Sequence, residues 1–215
     1  MSLLDLITGN AGQTVTNQAE SKFGISKNQI IALIAVATPL VISHLRKKSQ
    51  NPAEAESLNN ALDKDHDGSI LSNPSQIEAR QQEGNSILDH IFGGSKRNVE
   101  NQLSQNTGIS MDKIGPILAM LAPLIMGYIG KEKKQSNTSS GGIGDLLGGI
   151  LGNAKQEAHS NSPLDSILGE VLGQNNNSDK SNVGLEGIIG DLLQGSSSSS
   201  NDLTDLLGGF LGGRK

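Results

Sequence analysis

The chain has 215 residues, with 17 Lys+Arg against 22 Asp+Glu and a net charge of −5, a length that fits one or two domains of roughly 150 residues. It has no Cys, no Trp, three Phe and one Tyr, which excludes a disulfide framework, an iron–sulfur cluster, a thiol nucleophile and an aromatic base-stacking platform. The acidic balance speaks against a general nucleic-acid binder. It is also uneven, since residues 1–134 carry 13 basic and 13 acidic side chains and residues 135–215 carry 4 and 9.

The first element is one copy of an internal duplication. Residues 1–48 align with residues 85–132 at a constant offset of 84, without a gap, and 16 of the 48 positions are identical. Each copy reads as helix, turn, helix. In the first, Gly24 takes the left-handed position that ends a helix. Ser26 caps the next, with Gln29 three residues on as its capping-box partner and Ile25 and Ile30 as a hydrophobic staple. The second helix is apolar nearly all round from Ile30 to Leu45, and Pro39 should kink it.

Residues 49–84 form a connector. Asn51, Pro52 and Glu54 read as a helix start, with the helix running to about Leu62. Then Asp63, Asp65 and Asp67, with Gly68 and Ile70 behind them, match the first half of an EF-hand loop, where alternating carboxylates offer oxygens to Ca²⁺. The pattern fails later: Leu71 offers no side-chain oxygen, and Pro74 stands where the bidentate Glu belongs. Asp63, Asp65 and Asp67 are therefore the candidate metal ligands. The competing reading is an Asp-rich turn in which Asp67-Gly68 reverses the chain and Ser69 caps a short helix.

The second copy repeats the turn as Gly108-Ile109-Ser110, with Asp112 favouring the helix N-terminus. Its apolar helix runs from Ile114 to Ile129. Pro123 should kink it, and Pro116 should delay its start. A membrane span needs about 20 apolar residues. Both apolar helices sit near the lower limit, contain prolines and end in basic clusters, at Arg46-Lys47-Lys48 and at Lys131, Lys133 and Lys134. Consecutive spans would put one cluster on each side, against the positive-inside tendency. Two core helices packed together is the expectation.

The tail, residues 135–215, holds 16 Gly and 13 Ser and a single aromatic, Phe210. It is expected to be largely disordered. Four segments interrupt it: Ile143, Leu146, Leu147, Ile150, Leu151; Leu164, Ile167, Leu168, Val171, Leu172; Leu185, Ile188, Ile189, Leu192, Leu193; and Leu203, Leu206, Leu207, Phe210, Leu211. Each places apolar residues at i, i+3, i+4, i+7 and i+8, one face of a helix. Helices this short are marginal alone, so the stripes fold only when covered, by the head, by each other, by a protein or by a membrane. Acidic residues near their starts argue against anionic lipid.

Three motifs carry a family resemblance: Gly84-Asn85-Ser86-Ile87-Leu88-Asp89-His90-Ile91-Phe92-Gly93, Thr107-Gly108-Ile109-Ser110 and Leu121-Ala122-Pro123-Leu124-Ile125-Met126-Gly127. With the acidic loop before them, they make residues 1–134 resemble the bacterial domain-of-unknown-function family numbered 937. The resemblance implies a bacterial helical protein, with no activity or catalytic residues to carry over. Ser72-Asn73-Pro74-Ser75 stands where the family's helix should continue.

No catalytic constellation emerges. His44, His66, His90 and His159 are scattered, and neither a P-loop nor a G-x-S-x-G elbow is present. The expectation is an all-α, non-enzymatic interaction or scaffold protein of the cytoplasm. Its duplicated helical head spans 1–134, and its tail stripes bind protein partners or one another, with no nucleic acid and no cofactor. Two alternatives remain: a divalent-cation-responsive module on the Asp loop, and peripheral membrane association through the tail.

Overall fold

The computed structural model describes residues 2–158, and every regular element in that range is a helix. Nine α-helices follow one another: α1 (Leu3–Thr8), α2 (Asn10–Phe23), α3 (Lys27–Lys48), α4 (Pro52–Lys64), α5 (Ser69–Ser72), α6 (Gln81–Phe92), α7 (Lys96–Thr107), α8 (Met111–Ser136) and α9 (Ile143–Ala158). The tail stripes at 164–172, 185–193 and 203–211 lie outside the described residues.

The turn chemistry acts as its residues dictate. Gly24 and Gly108 end α2 and α7 at φ +64° and +68°, a left-handed conformation in which a Cβ costs roughly 1 kcal/mol or more. The Ser26 hydroxyl accepts the Gln29 N–H at 3.3 Å. The expected capping box is replaced, because the Gln29 side chain accepts from the Ser26 hydroxyl and donates to the Thr107 carbonyl instead. Ser110 stands at the N-cap of α8 without a side-chain cap bond. A full capping box appears elsewhere, between Ser2 and Asp5 at the start of α1. The helix before each Gly-Ile-Ser turn is not one rod. Gly9 breaks the first into α1 and α2, and the 3-10 turn Gly93–Ser95 separates α6 from α7.

α3 and α8 are the two long apolar helices, and both extend beyond their apolar runs. Pro116 does not delay α8, which begins at Met111 and carries Pro116 inside it. The two helices share one core but touch each other only briefly, so the expectation that they pack together needs correction. Each is sheathed by shorter helices, α8 mainly by α6, α7, α5, α4 and α2, and α3 mainly by α9, α2, α7 and α6. The reason is composition. A helix apolar all round needs cover on every side, and one equally broad partner covers only one face.

Both helices are long and apolar enough to cross a membrane by length and composition, and most of each is buried inside this fold. Ile30, Leu33, Leu40 and Ile42 in α3 and Ile114, Ile117, Leu124 and Ile129 in α8 are fully buried. Each such side chain contributes about 1.5–3 kcal/mol.

The compositional boundary at residue 134 is not a structural one. α8 continues through it to Ser136, and the first tail stripe forms α9 against α3. Ile143, Leu147 and Ile150 are buried in the common core, with Leu146 and Leu151 packed at its edge. The compositional shift misleads here because Gly-rich sequence still forms a helix once its apolar face is covered.

The two long helices are covered in parallel ways. Asp63 meets Lys133, His66 lies at Gly130, Ile70 at Gly127 and Gly84 at Ala119, so the connector runs back along α8 from its C-terminal end. Gly144 lies beside Ser49 and Gly148 beside Arg46, so α9 starts back along α3 in the same sense. Pro123 has no N–H for the Ala119 carbonyl, and Gly84 packs on that oxygen, where a Cβ would approach to 1.8 Å.

Candidate functional site

A polar cluster surrounds the Asp loop, where α4 ends, α5 begins and the C-terminal half of α8 passes beneath. Asn51 caps α4 by accepting the Ala53 N–H at 2.9 Å, and the helix runs two residues past the expected Leu62 to Lys64. Gly68 then turns the chain at φ +93°.

Each of the three candidate ligands has a partner of its own. Asp63 accepts from Lys133 at 2.5 Å, and the Lys133 side chain is only 7% exposed. Asp67 accepts the Ser69 N–H at 3.0 Å and pairs with Lys134 at 3.2 Å. Its hydrogen bonds to Ser69, and then Lys134, lower its carboxyl to about 2. Asp65 contributes its backbone carbonyl, which accepts from Arg80 at 2.9 Å. Two of the three carboxylates are thus neutralised by lysines of α8. Among the described residues, no group of three or more His, Cys, Asp or Glu is arranged to hold a metal ion. The loop has the geometry of an Asx turn clamped to a helix end. Its sequence pattern is that of a cation loop; its lysine partners lie about 70 residues away and were not legible in it.

Sequence reasoning passed over what lies beneath the loop. His66 is 5% exposed. Its Nε2 sits 3.5 Å from Glu83, while its Nδ1 is buried without a hydrogen-bond partner. Glu83 is held by two bonds of 2.6 Å from Arg80, the fork-to-fork geometry that a guanidinium makes with a carboxylate. Burial lowers the His66 pKa, Glu83 opposes that shift, Arg80 adds to it and Asp65 opposes it. The backbone of His66 lies on Gly130, where a Cβ would come within 1.8 Å of the His66 carbonyl. A His in an acidic loop, followed by Arg80 and Glu83 at helical spacing, was the available signal.

The other histidines stand apart. His44 packs edge-on to Phe92 with ring centroids 4.8 Å apart and lies 3.1 Å from the Leu40 carbonyl. Burial lowers its pKa, the Leu40 contact opposes this, and Lys47 reinforces it. His90 does not meet the Asp loop; it is exposed and pairs with Glu54 at 3.3 Å. His159 lies outside the described residues.

The arrangement ties the connector to α8 through ion pairs, a buried imidazole and glycine contacts. A nucleophile beside a base, or two carboxylates sharing one proton, would be the signs of chemistry, and the cluster described above contains neither.

No curated protein and no solved structure matches the chain. A family model described as a bacterial protein of unknown function matches residues 5–132, which takes in α2 to α7 whole and most of α8. The chain belongs to that family of bacterial proteins of unknown function, DUF937.

Proposed function

We propose that this chain is a non-enzymatic interaction or scaffold protein of the bacterial cytoplasm. Its head is a duplicated helical unit, and its tail is a row of weak apolar stripes that bind protein. The observation that carries the reading is the seat of α9. Ile143 and Leu147 are fully buried and Ile150 is 5% exposed. One stripe therefore has a protein surface as its cover, and three more of the same spacing follow it in sequence. Single contacts of this size are weak, and several on one tail gain avidity by raising effective concentration. The duplication is supported by the matched glycines at 24 and 108 and by the 16 identities.

The test is chemical cross-linking in cells that express the full chain, compared with a variant carrying Leu168→Asp, Ile189→Asp and Leu207→Asp. The wild type should give adducts that the variant loses. Adducts of equal amount from both, or none from either, would overturn the reading.

A further inference from the structure

The α9 seat has a feature that spacing alone does not require. Gly148 lies under the Arg46 guanidinium, and a Cβ there would meet three of its atoms at 3.2–3.3 Å. Gly148 is the sixth residue of its stripe, counted from Ile143. The sixth residue of the second stripe is Gly169, of the third Gly190 and of the fourth Gly208. The first, fifth and eighth positions, which α9 buries as Ile143, Leu147 and Ile150, are Leu164, Leu168 and Val171 in the second stripe. They are Leu185, Ile189 and Leu192 in the third, and Leu203, Leu207 and Phe210 in the fourth. All four stripes thus carry apolar residues at the positions that α9 buries in the groove it occupies on α3, and a glycine at the position of Gly148.

We propose that this groove is an exchangeable receptor for the stripe motif, and that a second copy of the chain supplies its other occupants from residues 164–172, 185–193 and 203–211. The inference rests on the interaction reading above and names the partner. One groove serves four stripes, so every molecule carries three in surplus. α9 holds the groove through a short tether, the residues between Ser136 and Ile143. When α9 leaves, a neighbouring molecule's stripe fits the same register. Exchange of an equivalent element between copies is the logic of domain swapping, and surplus stripes turn pairwise exchange into a concentration-dependent network.

The experiment uses the full chain and a fluorescein-labelled peptide of residues 162–175. Polarisation should show saturable binding of the peptide. Leu168→Asp in the peptide should weaken binding by about tenfold or more, as loss of one buried leucine requires. A peptide of the same composition with its apolar residues out of register should weaken as much. Light scattering on the full chain should show a mass that rises with concentration. Equal binding by the register-shuffled peptide overturns the inference, and so does the absence of peptide binding. A monomer at every concentration also overturns it, because the second copy is then not the occupant. If the peptide fails to bind while tail-dependent cross-links persist in cells, the interaction reading stands and this inference alone falls.

Discussion

Lys113 Nζ donates to the carbonyl of Phe23 at 2.9 Å, reaching from the first turn of α8 to the last residue of α2. The mirror contact runs the other way, from Gln29 Nε2 in α3 to the Thr107 carbonyl at the end of α7, at 3.4 Å. Gln29 and Lys113 occupy equivalent positions of the two aligned segments, and so do Phe23 and Thr107. Each segment therefore ties down an orphan carbonyl at the helix C-terminus of the other. Lys113→Met should cost about 1 kcal/mol in urea unfolding, in the range of a partly buried hydrogen bond. Gln29→Ala should cost less, since its bond is longer and uncharged. A Lys113→Met chain of unchanged stability would show that the contact does not hold the segments together.

Glycine substitutions should separate close packing from helix propensity. Gly130→Ala and Gly84→Ala each drive a Cβ to 1.8 Å from a backbone oxygen, and each should cost about 2 kcal/mol or more by overpacking. Gly149 in α9 has nothing within 4 Å of its built Cβ, so Gly149→Ala should stabilise by up to about 1 kcal/mol. Thermal melts of the three variants check the contrast.

The pair between Lys133 and Asp63 should be asymmetric. The Lys133 side chain is 7% exposed and that of Asp63 is half exposed. Removing Asp63 leaves a buried ammonium unpaired, whereas removing Lys133 leaves a carboxylate that water can solvate. Asp63→Asn should therefore cost more than Lys133→Met, by about 1 kcal/mol, in chemical denaturation. Equal costs would mean that water reaches Lys133 freely.

Acid should weaken the fold in a defined window. Burial lowers the pKa of both His44 and His66 from the ordinary 6.5. The unfolded chain then binds more protons than the folded one, so stability rises with pH. It is complete above the ordinary value and declines as pH falls from 6.5 towards the lower folded-state values. His66→Gln should flatten the slope between pH 7 and 5. Denaturation midpoints across that range check it, and a slope unchanged in the variant would show that His66 does not titrate with folding.

The elements legible in the sequence were those with strong local causes. Helical class, the Gly-Ile-Ser turns and the Asn51-Pro52 start follow from caps, glycines and period. What escaped was decided at long range. Gln29 lost its capping box to Thr107, 78 residues away. The Asp63 and Asp67 carboxylates found lysines rather than a shared centre. His66 looked like one histidine among four until α8 covered it. The first tail stripe resembles its three relatives in sequence, and nothing local marks it for its seat on α3.

On the function proposed above, residues 1–158 form the folded head and association comes from the stripes beyond it. The most direct measurement is light scattering after size exclusion, over a concentration series, on residues 1–215 and 1–158. The shorter chain should be monomeric and melt at the temperature of the longer one, and the mass of the longer chain should grow with concentration. A shorter chain that assembles as the longer one does, or two chains that are both monomeric throughout, would contradict it.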